Sequence, residues 1–228
     1  LRARPGPSSC SSFERAVDRS DFDQLYAQAP DPYGVRTRWY EARKRALLLA
    51  ALPRARYGRA FEPGCGVGEL TSELAGRCDT LLATDFSAGA VAAARERTRG
   101  FGHVQVAQQD LPDEWPQPEG GFDLIVLSEI GYFLGAREMA CVAQLCAQTL
   151  ASQGTLVACH WTVAFDGRRM STRTVHGMLD ALGLPRTAHY EDADFRLAVW
   201  ERRAESVAQR EGIRASGSQP PDGLPAQS

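Results

Sequence analysis

The sequence predicts an α/β fold built on a mostly parallel sheet covered on both faces, and three observations carry that prediction. Short apolar runs alternate with helix-period segments from Ala60 to Trp161. The first of those runs ends in a turn with three glycines at spacing two, Gly64-Cys65-Gly66-Val67-Gly68. Acidic residues then stand at or just past the ends of the first three runs: Glu62, Asp85 and Asp110. Open α/β sheets bind ligands in the crevice beyond the carboxyl ends of their strands, so the three carboxylates are expected along one edge of one crevice.

A chain of 228 residues, 43% apolar and 24% charged, is large enough for one domain with a sizeable core. The net charge of −2 gives no nucleic-acid footprint. Six scattered cysteines form no C-x-x-C pair, so neither a metal site nor a redox motif is expected, and a reducing, cytoplasmic compartment fits. No apolar run is long enough for a membrane span.

The elements follow in order. Residues 1–19 read as a disordered segment. Residues 20–203 read as a single domain whose first part, 20–57, is a helical lid with a short helix or turn at Phe22–Tyr26. Residues 204–228 read as a frayed helix running into a disordered tail. A helix is expected over Ala42–Leu52, stopped by Pro53, and a strand ends at Glu62. Helix Glu69–Ala75 follows, then strand Thr80–Thr84. Ser87 is placed to cap helix Ala88–Thr98. Strand His103–Ala107, strand Phe122–Leu127, helix Arg137–Leu150 and strand Gly154–His160 complete the alternation. After Trp161 come an irregular loop over Thr162–Ser171 and a helix at Thr174–Leu182. Strands Arg186–Glu191 and Phe195–Glu201, joined by Asp192-Ala193-Asp194, form a hairpin suited to an antiparallel edge.

The glycine turn accepts one of two nucleotide-type ligands. A dinucleotide turn has the spacing G-x-G-x-x-G, whereas here the third glycine comes one residue early and Glu62 precedes the first by two. A pyrophosphate gains nothing from a carboxylate, but a cationic amino-acid ligand does. Asp85, at the second strand end, is placed to accept ribose hydroxyls, and Asp110-Leu111 to meet a base with a carboxylate and an apolar face. The expected cofactor contacts are Tyr40, Glu62, Gly64, Cys65, Gly66, Gly68, Asp85, Phe86, Asp110, Leu111 and Ser128.

The pattern E-x-G-x-G-x-G with its acidic strand ends resembles the class I S-adenosylmethionine (SAM)-dependent methyltransferases over about residues 60–161. That resemblance implies a Rossmann-like three-layer sandwich with a seven-stranded sheet in the order 3-2-1-4-5-7-6, strand seven antiparallel, and SAM as cofactor. A narrower resemblance rests on Asp31-Pro32-Tyr33-Gly34, Trp39-Tyr40-Glu41, Lys44, Ser128-Glu129-Ile130-Gly131-Tyr132-Phe133-Leu134 and Ala158-Cys159-His160-Trp161. These segments look like the NodS family, which implies N-methylation of an amine on an amino sugar or glycoconjugate. It also implies functional pairing with PIG-L-type deacetylases.

Methyl transfer from a sulfonium needs no metal, and alignment with exclusion of water supplies most of the rate. The acceptor side is expected beyond strands four and five, with Glu129, Tyr132 and His160 as the catalytic candidates and His160 as a general base. Trp161 and Tyr132 offer a platform for a sugar ring. Tyr33, Trp39 and Tyr40 are expected as a lid, with Arg36, Arg38 or Lys44 near the cofactor carboxylate. The same scaffold serves a small-molecule O-methyltransferase of specialised metabolism or a non-catalytic SAM-binding protein. A nicotinamide-dependent oxidoreductase is disfavoured by the glycine spacing.

Overall fold

Seven strands form one sheet in the order β3-β2-β1-β4-β5-β7-β6 among the described residues. The structure is a computed structural model and describes residue 29 and residues 31–215. The expected segment at 1–19, the short helix at Phe22–Tyr26 and the last thirteen residues of the expected tail lie outside the described residues.

The chain runs α1 (Trp39–Ala51), β1 (Tyr57–Pro63), α2 (Glu69–Ala75), β2 (Cys78–Asp85), α3 (Ala88–Thr98) and β3 (Val104–Gln108). Then come β4 (Phe122–Ser128), a 3₁₀ turn at Gly131–Phe133, α4 (Ala136–Thr149) and β5 (Leu150–Trp161). Helix α5 (Thr172–Asp180), β6 (Arg186–Glu191), β7 (Phe195–Glu201) and the short α6 (Val207–Arg210) close it. Strands β1 to β5 pair in parallel, and β7 lies antiparallel between β5 and β6.

The pleat of the central strands separates two apolar cores. Ile125, Leu127, Leu156, Ala158 and Trp200 point into the core shared with α4 and α5. Their neighbours Leu124, Val126, Val157, Cys159 and Val199 point into the core with Leu48 of α1 and Leu74 of α2. Both faces of the sheet are therefore covered, which is why these strands read as unbroken apolar runs. Ser87 caps α3 as its sequence predicts, its side chain accepting from Ala90 N.

Strand β5 begins four residues early, at Leu150, and two other departures from expectation have a visible cause. Helix α1 begins at Trp39, three residues early, because the backbone amides of Val35 and Arg36 donate to the Asp31 carboxylate and close the preceding turn. Residues 204–215 are ordered where a tail is expected to start. Ser206 caps α6, and Arg210 reaches back to the buried Glu201 with Nη2 at 2.6 and 2.7 Å from its two carboxylate oxygens. Among the described residues no helix is long and apolar enough to cross a membrane.

Candidate functional site

A cavity of about 780 Å³ opens at the carboxyl ends of β1, β2, β3 and β4, roofed by residues 31–48. That volume falls in the range of small-molecule sites. The glycine turn makes its floor. Gly64 N and Cys65 N both donate to Thr84 O, at 2.7 and 2.9 Å. Gly64 has φ +72°, and a Cβ there would stand 2.0 Å from Ile130 Cγ2, so only glycine lets the loop after β4 approach β1 this closely.

Asp85 ties the floor together. Its Oδ2 accepts from Gly66 N and its Oδ1 from Ser87 N, each at 3.0 Å. A carboxylate has about four acceptor positions, so it can serve several donors at once. One carboxylate thus fixes the glycine turn and the start of α3 while lining the cavity.

Glu62 is the unusual member. It is 3% exposed and lines the cavity, and among the described residues its Oε2 makes no hydrogen bond of ordinary geometry, although the Thr71 hydroxyl lies beside the carboxyl. Burial, with the nearby Asp85 adding, pushes its carboxyl up to about 8. A buried orphan acceptor is costly. The orphaned Tyr40 hydroxyl and Gln109 Oε1 line the same cavity. Eight acidic side chains (Asp31, Glu41, Glu62, Glu69, Asp85, Asp110, Glu129, Asp194) face three basic ones (Arg38, Lys44, Arg45) along the lining. Lys44 offsets Glu41 and Glu129, and Arg36 and Arg97 offset Glu69; the acidic excess that remains along the lining favours a ligand with positive charge and disfavours a pyrophosphate. The residues present therefore fit SAM, whose amino-acid end carries an ammonium and whose centre is a sulfonium.

The other end of the cavity is aromatic. Tyr132, Phe133, Trp161 and Phe165 line it, with Trp161 and Phe165 stacked at 5.8 Å between ring centroids. The Arg168 guanidinium lies 5.4 Å from the Tyr132 ring centroid and bonds to the carbonyls of Thr162, Val163 and Met170. It so fixes the irregular loop after β5. Glu129 has φ +61°, the one positive φ at a non-glycine position among the described residues. Its Oε2 accepts from the Tyr132 hydroxyl and from Trp161 N, and its Oε1 is 2.9 Å from Lys44 Nζ. Lys44 also pairs with Glu41 at 3.0 Å. Burial works against the Lys44 charge, but Glu129 and Glu41 outweigh it and hold the ammonium above its usual range.

The structure brings Tyr40, Glu62, Gly64, Cys65, Gly66, Asp85, Phe86, Asp110, Leu111, Ser128, Glu129 and Tyr132 to this one cavity. Two expected residues are elsewhere. Gly68 is the left-handed N-cap of α2, where a Cβ would meet Ala94 Cα at 2.9 Å; it serves the packing of α2 on α3 and does not line the cavity. His160 is fully buried on the face of Leu156 and Ala158, because side chains two apart share a face of the strand. Its Nε2 accepts from Gly131 N at 3.1 Å, and burial lowers its ring to about 3, so it is no general base at neutral pH. Within the expected lid, Tyr33 and Tyr40 line the cavity, whereas Trp39 is 77% exposed and faces away from it. Arg36 is held by Glu69 at 2.9 Å and Lys44 by Glu41 and Glu129; Arg38 is the expected carboxylate partner that lines the cavity with no such bridge among the described residues.

Sequence reasoning missed Gln109, Arg168 and Phe165. Gln109 had a signal, since it immediately precedes Asp110 at a strand end. The loop residues had none, because nothing local says where an aperiodic segment folds back.

Fold and site together define a class I methyltransferase domain. A family model described as a methyltransferase domain matches residues 60–154. The crystal structure of a candidate methyltransferase from Pseudomonas syringae is 44% identical, with a TM-score of 0.64, covering 72% of this chain and 99% of that one. Nodulation protein S of Rhizobium tropici is 32% identical over 47% of this chain and 44% of its own length. The N-methyltransferase NodS of Bradyrhizobium japonicum, solved with S-adenosylhomocysteine (SAH), shares the fold at a TM-score of 0.71 and 24% identity, covering 80% of this chain and 96% of that one. The matches span less than half the length of the curated relatives. The chain belongs to the class I SAM-dependent methyltransferases, and over part of its length it is similar to NodS proteins.

Proposed function

We propose that this chain moves a methyl group from SAM to the amine of a small molecule, an amino sugar or glycoconjugate. The observation that supports this most is the buried Glu62 carboxyl at the foot of the glycine turn, whose Oε2 is left without a well-formed hydrogen bond among the described residues. It is an acceptor waiting for a cation at the place where the amino-acid end of SAM would lie. On this reading Asp85 takes the ribose, Asp110, Leu111 and Phe86 surround the base, and Gly64, Cys65 and Gly66 let the backbone approach. Tyr40 and Ser128 close the sides, and Arg38 takes the carboxylate.

Bound there, SAM supplies a sulfonium methyl that a nucleophile takes in line, the sulfur keeping the bonding electron pair. The chain's own residues align the nucleophile and exclude water. Trp161 and Phe165 give a flat wall for a sugar ring, and Glu129 gives the negative charge that holds an amine in front of it. The ammonium must give up one proton before its nitrogen can attack, and the Glu129 carboxylate, bonded to Tyr132, is the acceptor next to it.

NodS relatives support the amine over a hydroxyl, and a deacetylase is the class of reaction that exposes such an amine. The five described cysteines are free, which supports a reducing compartment. The test is incubation with methyl-deuterated SAM and either fully deacetylated chitotetraose or a catechol. Mass spectrometry should find the label on nitrogen of the oligosaccharide. Label on the catechol alone would replace this reading with O-methylation.

A further inference from the structure

The last three residues of β5 grip the loop after β4 at successive points. Cys159 O accepts from Glu129 N at 2.9 Å, His160 Nε2 accepts from Gly131 N at 3.1 Å, and Trp161 N donates to Glu129 Oε2 at 3.2 Å. The middle contact is a side chain, and its direction can be deduced. A backbone N–H only donates, so His160 Nε2 bears no proton and the neutral ring carries its proton on Nδ1. That Nδ1 lies 3.2 Å from His176 Nε2, which must then accept. The proton of His176 is consequently on its Nδ1, a buried atom with no hydrogen-bond partner among the described residues.

The chain of bonds has a single sense: Gly131 donates to His160, and His160 donates to His176 of α5. Protonating either ring would place two N–H groups face to face. Burial keeps both neutral. It lowers His160 to about 3, helped by Lys44 and Arg168, and His176 to about 2, helped by His160, Arg196, His189 and Arg186. There is no slack at Gly131, where a Cβ would meet Val175 Cγ1 at 2.6 Å and His160 Nε2 at 2.9 Å. The next residue, Tyr132, sets its ring edge-on to His160 at 5.5 Å between centroids.

We infer that His160 and His176 are positioning residues, a one-way relay from α5 through the end of β5 that fixes the Gly131 amide and with it the Glu129 carboxylate and the Tyr132 hydroxyl. The inference rests on the reading that Glu129 and Tyr132 face the acceptor. The relay explains why two histidines are buried in an otherwise apolar core: a hydrocarbon would fill the space but leave the Gly131 N–H unbonded and its loop free to shift.

Nitrogen-15 correlation spectra of the histidine rings test the relay in the intact chain. Both rings should show the Nδ1–H tautomer and should not titrate between about pH 5 and 8. A His160 ring with its proton on Nε2 overturns the inference. Two variants give the functional arm. His160→Gln keeps an acceptor for Gly131 and His160→Leu removes it while suiting the core. With SAM and fully deacetylated chitotetraose, kcat should fall at least about thirtyfold in H160L and stay within about fivefold of wild type in H160Q, with SAH affinity within about twofold in both. Wild-type kcat in H160L overturns the inference. A wild-type chain that leaves chitotetraose unmethylated overturns the acceptor reading instead. The tautomer spectrum, and Gly131 amide exchange about tenfold faster in H160L than in H160Q, decide the relay with no acceptor present.

Discussion

Lys44 Nζ, on α1, lies 2.9 Å from Glu129 Oε1 at the end of β4, and the lysine is 5% exposed. It is the chain's only lysine among 26 basic residues. The pair ties the segment that roofs the cavity to the loop after β4. Removing one partner strands the other in a poorly solvated place. Lys44→Met should cost about 2–4 kcal/mol in urea unfolding. The double variant Lys44→Met/Glu129→Gln should recover part of that loss, and a fully additive double variant would show that the two groups do not interact.

Glu62 should make cofactor binding a proton-releasing event. Its carboxyl is held up to about 8 in the ligand-free chain, against 4.5 ordinarily. At pH 7 it is mainly protonated, and a cation placed beside it favours the carboxylate. SAH titrated at pH 7 in buffers of different ionisation enthalpy should release up to about one proton per chain, and Glu62→Gln should abolish the release. The same shift works against the empty fold as pH rises. Between 4.5 and about 8 the unfolded chain has lost a proton that the folded chain keeps, so this group's contribution to stability falls across that window. Wild-type heats independent of buffer would contradict the proton release, and unfolding free energies in Glu62→Gln with the same pH slope as wild type would contradict the second statement.

Gly64→Ala should destabilise the chain by about 1–3 kcal/mol, because φ is positive there and the new methyl would overlap Ile130 Cγ2. Pairing it with Ile130→Ala should relieve the overlap but not the backbone strain. Thermal unfolding of the single and double variants measures the two parts separately.

The buried histidines predict a pH dependence of opposite sign. His160 and His176 stay neutral in the fold down to about 3 and 2, while in the unfolded chain they protonate below 6.5. Their contribution to stability is full above pH 6.5 and is lost progressively as pH falls toward 3. His160→Leu should lower the slope of unfolding free energy in this range by about 1.4 kcal/mol per pH unit. An unchanged slope would place that protonation elsewhere.

Arg210 anchors the chain beyond β7. It is held by Glu201, which is 2% exposed, so Arg210→Ala leaves a buried carboxylate without its counter-charge. A loss of about 3–5 kcal/mol is expected on chemical unfolding. A loss below about 1 kcal/mol would return residues 204–215 to the status of a dispensable tail.

The parts of this fold that were legible in the sequence are those where a local pattern has a single physical reading. The apolar runs at β4 and β5 and the hairpin at β6–β7 could be read as strands without tertiary information, and Ser87 as a helix cap. Glu62, Asp85 and Asp110 converge because strand ends in a parallel sheet share an edge. His160 shows where such reading stops. Its position at a strand end suggested chemistry, but the pleat sends it to the α5 side, and counting from Leu156 and Ala158 would have shown this. Gly68 looked like a third ligand glycine and answers instead to Ala94, 26 residues on. Phe165 reaches the cavity, and Arg168 the Tyr132 ring, through a loop with no period, which only the folded chain reveals.

The measurement that bears most directly on the whole account is calorimetric titration of SAH, beside NAD, into the wild-type chain and Asp85→Ala. The wild type should bind one SAH with a Kd of about 10 µM or tighter and give no heat with NAD. Asp85→Ala, checked for folding by circular dichroism, should lose at least about thirtyfold in affinity, since it removes a charged acceptor and loosens the Gly66 amide together. A wild-type chain that ignores SAH, or an Asp85→Ala variant that binds it equally well, would contradict the placement of the ligand on which the rest is built.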